Sequence, residues 1–194
     1  MAAPRYATLA PLFEELRGDI VVVRPYRPED APLLQAAVAE SRDHLRPWMP
    51  WADTHQTVEE SLDWINRVRA NWITRSDMAI AMFDAADPNR YLGGTGLHPR
   101  NWDVPYFEIG YWIRPTATGQ GHVTEAVTLL TRFAIDVLGA KRVEIRCDER
   151  NTPSASVARR AGFVFEGVRR NDALDTEGNV RNTLYFSRVP GDTA

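Results

Sequence analysis

The sequence predicts a mixed α/β fold built round a central sheet, and three observations point to it. Short β-branched and aromatic runs are interleaved with longer stretches whose apolar residues recur at helical spacing. Between residues 78 and 113 three strand-like runs follow one another across short turns, a connection that suits antiparallel neighbours. Farther on, a strongly amphipathic helix leads into a strand, a second helix and a closing hairpin.

Taken in order, residues 20–24 (IVVVR) form a β-branched run closed by Pro25 and read as a first strand. Pro28, Glu29 and Asp30 open a helix through about Leu45, their negative charges matching its amino end. Thr57 with Glu60 has capping-box spacing, and Leu62, Ile65, Val68, Arg69 and Trp72 continue it as a second helix. After Ser76 the period changes: MAIAMFD (78–84), a turn at AADPNR, the glycine-loosened YLGGTGLHP (91–99), a turn at 101–104, and YFEIGYWI (106–113). From Gly121 onward Val123, Ala126, Val127, Leu130, Ala134, Val137 and Leu138 share one helical stripe that Gly139 ends. VEIRC (143–147) is a strand, and Thr152 with Pro153 supplies a cap and a first-position proline for a short helix ending at Gly162. Residues 163–168 and 180–189 close the chain as a hairpin across DTEGN.

The chain of 194 residues, 44% hydrophobic and 25% charged, suits one buried core, so a single domain is expected, with its core at about 20–189 and extensions at 1–19 and 190–194. A formal net charge of -3 leaves no basic excess for nucleic acid but leaves room for an amine substrate. No run approaches the ~18 to 20 apolar residues that cross a bilayer, and Glu14, Glu15 and Arg17 interrupt the start where a signal core would be apolar. The expectation is a cytoplasmic protein without a membrane partner, and a homodimer stays open. Cys147, the single cysteine, allows no internal disulfide and no cysteine metal cluster. His44, His55, His98 and His122 show no metal-ligand spacing with one another or with Cys147, so no metal is expected.

The stretch IRPTATGQGHVTEA (113–126) places two glycines before a helix, where unpaired N–H groups and the helix dipole favour a phosphate. A P-loop is excluded because no Gly-Lys-Ser/Thr follows. A dinucleotide fingerprint is excluded because Thr124 stands at the third glycine and antiparallel strands precede the loop. By itself the pattern fits either a phosphate cradle or a tight strand-to-helix turn.

Four stretches decide between these: VVVRPYRPEDA at the first strand and helix, EIGYWIRP (108–115), GQGHVTEA (119–126) and NTPSASVARRAGFVFEG (151–167). In order and spacing they resemble the GNAT N-acetyltransferase superfamily, and within it the RimJ/RimL-like branch that acetylates ribosomal-protein amino termini. The resemblance implies the acyl-CoA N-acyltransferase fold, an α+β arrangement with a central, mostly antiparallel seven-stranded sheet flanked by about four helices. It also implies acetyl-CoA as cosubstrate. The family signature Gln/Arg-x-x-Gly-x-Gly/Ala puts Thr118 first, Gly121 fourth and Val123 sixth, and only the glycine matches. Thr118 thus lacks the usual side-chain contact, Val123 adds bulk, and backbone N–H groups are left to hold the pyrophosphate. The coenzyme A site implied comprises Tyr111, Trp112, Ile113, Thr118, Gly119, Gln120, Gly121, His122, Val123, Asn151 and Ser154, with His122 lending its backbone N–H and Asn151 meeting the pantetheine chain.

Acetyl transfer to an amine needs a neutral amine, a stabilised oxyanion and a proton for the departing thiolate. Glu108 matches a glutamate that acts as base in some members of the superfamily; as a strand carboxylate it equally suits binding the amine's charge or facing solvent. Gly110 suits a bulge that frees an N–H for the oxyanion, or simple close packing, and Tyr111 and Trp112 read as packing residues. Many members supply the proton from a tyrosine at the position that Ala158 holds here. Ser154, in the branch's Asn-x-x-Ser pattern, either donates to the sulfur or caps its helix. In HLRPWMPW (44–51) the resemblance implies that Trp48 and Trp51 wall the acceptor site; core packing is the other reading. Cys147 lies within a strand without a histidine partner, so direct attack in a ternary complex is expected rather than a cysteine intermediate. The expected function is acetyl transfer to a primary amine, in the pattern of a protein N-terminal α-amino group. A small-molecule amine acetyltransferase and a non-catalytic acyl-CoA-binding module are the alternatives.

Overall fold

Three consecutive valines, Val21, Val22 and Val23, are all buried in β2 (Val21–Pro25), as in a strand covered on both faces. A neighbour that the sequence does not announce, β1 (Leu16–Arg17), pairs antiparallel with it. The computed structural model describes residues 7–192, so the expectations for residues 1–6 and 193–194 lie outside the described residues. The remaining strands are β3 (Met78–Asp84), β4 (Tyr91–Asn101), β5 (Tyr106–Ile113), β6 (Arg142–Asp148), β7 (Val164–Leu174) and β8 (Val180–Arg188). Among the described residues they form one sheet in the order β1-β2-β3-β4-β5-β6-β8-β7, with eight strands rather than the seven expected, because a two-residue strand carries no period to read.

The helices follow the sequence closely, with local corrections at their ends. Pro28–Asp30 forms a single 3-10 turn before α1 (Ala31–Leu45), and Asp30 clamps it by accepting from Arg27 N at 2.8 Å and from both guanidinium nitrogens of Arg24 at 2.8 Å. At α2 (Val58–Thr74) the Thr57 hydroxyl accepts from Glu60 N at 3.1 Å, but the Glu60 carboxylate reaches Gln56 N at 2.8 Å instead of closing the box on Thr57. The helix α3 (His122–Arg132) widens into a π-type turn over Phe133–Val137, with Leu138 N on Phe133 O at 3.1 Å, before Gly139 ends it at φ +72°. For α4 (Thr152–Arg160) the cap is Asn151 rather than Thr152: the Asn151 carbonyl oxygen accepts from Ser154 N at 3.1 Å.

The alternation of β3 divides the core. Ile80 and Met82 face α3 and α4 together with Val123, Ala126, Val127, Leu130, Ala155 and Ala158, while Ala81 and Phe83 face α1 and α2 with Leu34, Ala37, Val38, Ile65 and Val68. Among the described residues no helix is long and apolar enough to cross a membrane.

One pairing departs from the antiparallel rule. β5 and β6 run parallel and are registered only at Tyr106↔Arg142, Phe107↔Val143 and Glu108↔Glu144. β5 nevertheless continues to Ile113 while β6 stays with β8 as far as Asp148↔Thr183, so the two strands part after Glu108. The backbone of 109–113 on that side is left without a ladder partner. Gly110 is not a bulge: it pairs regularly with Gly96, and the irregularity falls at Pro99/Asn101, beside a proline that has no N–H to give.

A carboxylate joins the two ends of this layout. Glu125, in the first turn of α3, accepts from the backbone N–H of Asp19 at 2.8 Å, Ile20 at 3.0 Å and Val21 at 2.8 Å. Gly18 is required beside it, since a Cβ there would lie 2.4 Å from the Glu125 carboxyl carbon. Glu125→Ala is expected to lower stability by about 1–2 kcal/mol in urea denaturation, because the part-buried Val21 N–H loses a charge-assisted acceptor while water can reach those of Asp19 and Ile20.

At the other end of the sheet, Arg142 holds the Glu166 carboxyl at about 2 against an ordinary 4.5, with burial opposing and Ser187 assisting. A depressed carboxylate contributes stability above its unfolded value and loses it as pH falls toward the folded one. Glu166→Gln is therefore expected to lower Tm at neutral pH and to flatten the loss of Tm between pH 4.5 and about 2. The side chain is 40% exposed, which limits the difference to below about 1 kcal/mol.

Candidate active site

The gap between the parted strands is flanked by two helix amino ends. On the β5 side the chain passes through a 3-10 turn at Pro115–Ala117, an extended Thr118, then Gly119 at φ +74° and Gly121 at φ +90° before α3 begins. Positive φ at both glycines turns the loop back over the helix axis, where the first N–H groups of α3 have no intrahelical acceptor. The Thr118 hydroxyl is engaged with Pro115 O at 2.8 Å and the Gln120 amide with Thr116 O at 3.2 Å, so these side chains brace the loop and its backbone faces the gap. Val123 is 7% exposed and packs in the core cluster, and the part of it that remains accessible lies in the wall of the cavity. The His122 Nδ1 and the Thr124 hydroxyl in this first turn are buried without a hydrogen-bond partner among the described residues.

A cavity of about 960 Å³ runs from this loop to the start of α4, at the upper end of the about 300–1,000 Å³ usual for small-ligand sites. All the residues that the resemblance assigns to coenzyme A line it: Tyr111, Trp112, Ile113, Thr118, Gly119, Gln120, Gly121, His122, Val123, Asn151 and Ser154. So do His44, Leu45, Met49 and Arg160, which sequence reasoning did not single out; they arrive by packing between elements, for which no local pattern exists.

A second cavity of about 260 Å³ opens on the far side of the parted strands and is walled by Trp48, Met49, Glu108, Asp148 and the β7–β8 turn at Asp175. The two cavities share Trp48, Met49, Tyr111, Asn151 and Ser154. At that junction the Tyr111 hydroxyl donates to Ser154 O at 3.0 Å and lies 3.1 Å from the Ser154 hydroxyl. Burial pushes the Tyr111 phenol far above its ordinary 10, more than the hydrogen bond with Ser154 lowers it, so the pair stays neutral and proton-bearing. Because Asn151 does the capping, the Ser154 side chain is free to face the junction. Ala158 is fully buried in the core and offers nothing to this site.

Glu108 lies in the wall of the smaller cavity with its side chain 14% exposed. Its Oε2 accepts from Arg100 at 3.0 and 2.7 Å and from Arg146, which leaves Oε1 without a partner among the described residues. Asp148 is held ionised by its hydrogen bond with Arg150, with burial opposing. Burial raises the Cys147 thiol above its ordinary value, which is the wrong direction for a nucleophile. Trp51 does not join the site. Its ring packs 5.7 Å from Trp112 at 66° and lines a separate cavity with Tyr26, His55 and Trp64. Among the described residues no group of three His, Cys, Asp or Glu side chains could hold a metal ion.

Residues 21–164 match the family model of the acetyltransferase (GNAT) domain. The ribosomal-protein-serine acetyltransferase of Escherichia coli (strain K12) is 36% identical over 158 residues, covering 72% of this chain and 86% of that protein. Among solved structures, RimL, described as the ribosomal L7/L12 alpha-N-protein acetyltransferase in complex with coenzyme A, superposes with a TM-score of 0.81 at 20% identity over 91% of this chain and 98% of its own. RimJ of Mycobacterium smegmatis, in complex with CoA-disulfide, does so with a TM-score of 0.81 at 22% identity over 95% and 90%. With the family model spanning most of the chain and the parted strands ending at a glycine-turned helix start, this chain belongs to the GNAT acetyltransferase family and is an acetyl-CoA-dependent N-acetyltransferase.

Proposed function

We propose that the acceptor is the α-amino group of a protein or peptide, acetylated by direct attack in a ternary complex. The observation that carries this reading is the junction: a long cavity suited to coenzyme A and a short carboxylate-walled cavity meet only at Trp48, Met49, Tyr111, Asn151 and Ser154. A thioester entering from one side and an amine from the other would come together there. An α-amino group titrates at ~7.7–8.0 and a lysine at ~10.4, so a chain terminus needs little deprotonation near neutrality. The E. coli relative and RimL, both named as ribosomal-protein acetyltransferases, support the same acceptor class, and a cytoplasmic setting suits it.

Acetyl-CoA supplies the activated acetyl group, and each remaining demand has a residue of this chain to meet it. The backbone of 119–122 at the start of α3 would hold the pyrophosphate. The unpaired N–H groups of β5 beyond Glu108 suit the oxyanion, without the bulge expected at Gly110. Ser154 would donate to the sulfur as it departs, oriented by the Tyr111 phenol. Glu108 Oε1 and the Asp148 carboxylate draw in the ammonium form of the acceptor, and Trp48 bounds its path. The modest volume of about 260 Å³ favours a second reading, a small-molecule amine, since it admits only one or two residues of a peptide.

Thiol release from acetyl-CoA tests these readings with short peptides bearing free serine or alanine termini, the same peptides N-blocked with an internal lysine, and a polyamine. Release confined to the free-terminus peptides is the expected result. Release with the polyamine alone would establish the second reading, and tight coenzyme A binding without release for any amine would leave a binding module. Ser154→Ala is expected to lower kcat about 10- to 100-fold with acetyl-CoA affinity unchanged. Gly121→Ala, forced to φ +90°, is expected to weaken acetyl-CoA binding about 10-fold in calorimetry while the protein remains folded.

A further inference from the structure

We propose that His98, oriented by Asp77, is the base that takes the proton from the acceptor amine. This rests on the amine-acetylation reading above and assigns its proton-accepting step to a pair of residues outside the coenzyme A site.

His98 and Glu108 stand directly opposite in the β4–β5 register, and Gly96 and Gly110 form the next pair along on the same face. The two glycines make room for the imidazole. A Cβ on Gly96 would lie 2.5 Å from His98 Nε2 and one on Gly110 3.3 Å from it, so the ring lies across both toward Gly110. Gly110 lines the smaller cavity beside Glu108, so the ring edge that lies against Gly110 is one backbone away from that cavity, with no side chain between.

His98 Nδ1 is hydrogen-bonded to Asp77 Oδ1, and Nε2 has no partner among the described residues. Asp77 stays ionised: burial pushes its carboxyl up, but hydrogen bonds from His98 and from the Met78 backbone, with Arg100 nearby, hold it below its ordinary value. An ionised carboxylate only accepts, so Nδ1 carries the hydrogen, and in the neutral imidazole the lone pair is on Nε2. The charged groups facing the ring are Asp77 before β3, Arg100 on β4 and Glu108 on β5, with Arg146 of β6 behind Glu108. Glu108 has three guanidinium N–H groups on Oε2, which leaves only Oε1 to meet the ammonium; His98 presents an unengaged nitrogen.

The proton balance is simple. The ammonium gives one proton to His98 Nε2 and becomes a neutral amine, whose nitrogen bonds to the carbonyl carbon as the C=O π pair moves onto oxygen; the carbonyl then re-forms and the C–S bond breaks with its electron pair on sulfur. The second proton of the nitrogen makes good the one that Ser154 gives to the thiolate, and the proton on Nε2 passes to solvent.

The test compares His98→Gln, Asp77→Asn and Glu108→Gln with the unaltered protein, using acetyl-CoA and the amine that gives fastest thiol release, across the pH range. His98→Gln is expected to lower kcat about 100-fold or more and to abolish its acid limb, with acetyl-CoA affinity unchanged as evidence of folding. Asp77→Asn, whose amide donates to Nδ1 and so forces the hydrogen onto Nε2, is expected to lose a comparable factor although the ring remains; a merely structural aspartate would leave the pH profile in place. Glu108→Gln is expected to raise the acceptor KM and keep the limb. Wild-type kcat and limb in His98→Gln, or loss of the limb in Glu108→Gln alone, would overturn the assignment while leaving amine acetylation standing. No thiol release by the unaltered protein with any amine would overturn both.

Discussion

A parallel pair of strands that is bonded at three positions and then comes apart governs the rest of this molecule. In an otherwise antiparallel sheet, β5 and β6 can run parallel only if the chain crosses back between them, and α3 is that crossover. The crossover fixes where the helix starts: just beyond the carboxyl end of β5, beside the gap. The same sheet geometry delivers α4 to the other flank, because β6 leaves β5 to follow β8. Two helix amino ends, an unladdered strand edge and a through-going cleft are thus consequences of one break in hydrogen bonding.

Charge is arranged around that break with economy. Along β6 the residues Arg142, Glu144, Arg146 and Asp148 occupy every second position and so share one face, while Val143, Ile145 and Cys147 enter the core on the other. Each charge has a partner of opposite sign within reach, on Glu166, Glu108, Arg150 or a neighbour in the stripe itself. Carboxylates that would repel one another are held apart by guanidinium groups. Their order lets acidic oxygens face the smaller cavity although the walls are largely protein rather than water.

What could be read in the sequence was what repeats locally. The stripe from Val123 to Leu138 and the β3–β4–β5 meander have periods of their own, and the glycines at 119 and 121 mark a turn that few other residues can make. The helix caps were legible to within a residue, since Asn151 and Thr152 are both capping types and only the folded backbone chooses between them. β1 has too few residues to show a pattern, and the bulge expected at Gly110 fell instead at Pro99, where register between strands decides. Register is also why nothing local to the sequence singles out His98 beyond its lack of metal-ligand spacing: its place opposite Glu108, its rest on two glycines and its bond to Asp77 all depend on chain segments distant in sequence. Trp51 and Trp48 illustrate the same limit, three residues apart yet facing different cavities.

The contact between the Tyr111 phenol and Ser154 spans the gap from β5 to α4. A space between strands that no longer share hydrogen bonds has no intrinsic width; it is a soft coordinate that breathing of the sheet would vary. A short, rigid aromatic side chain anchored at both ends acts on that coordinate as a strut, setting the separation of the two walls before any ligand arrives. The width where the two cavities meet is then set by one side chain, and a shorter residue in its place would leave the two walls free to drift.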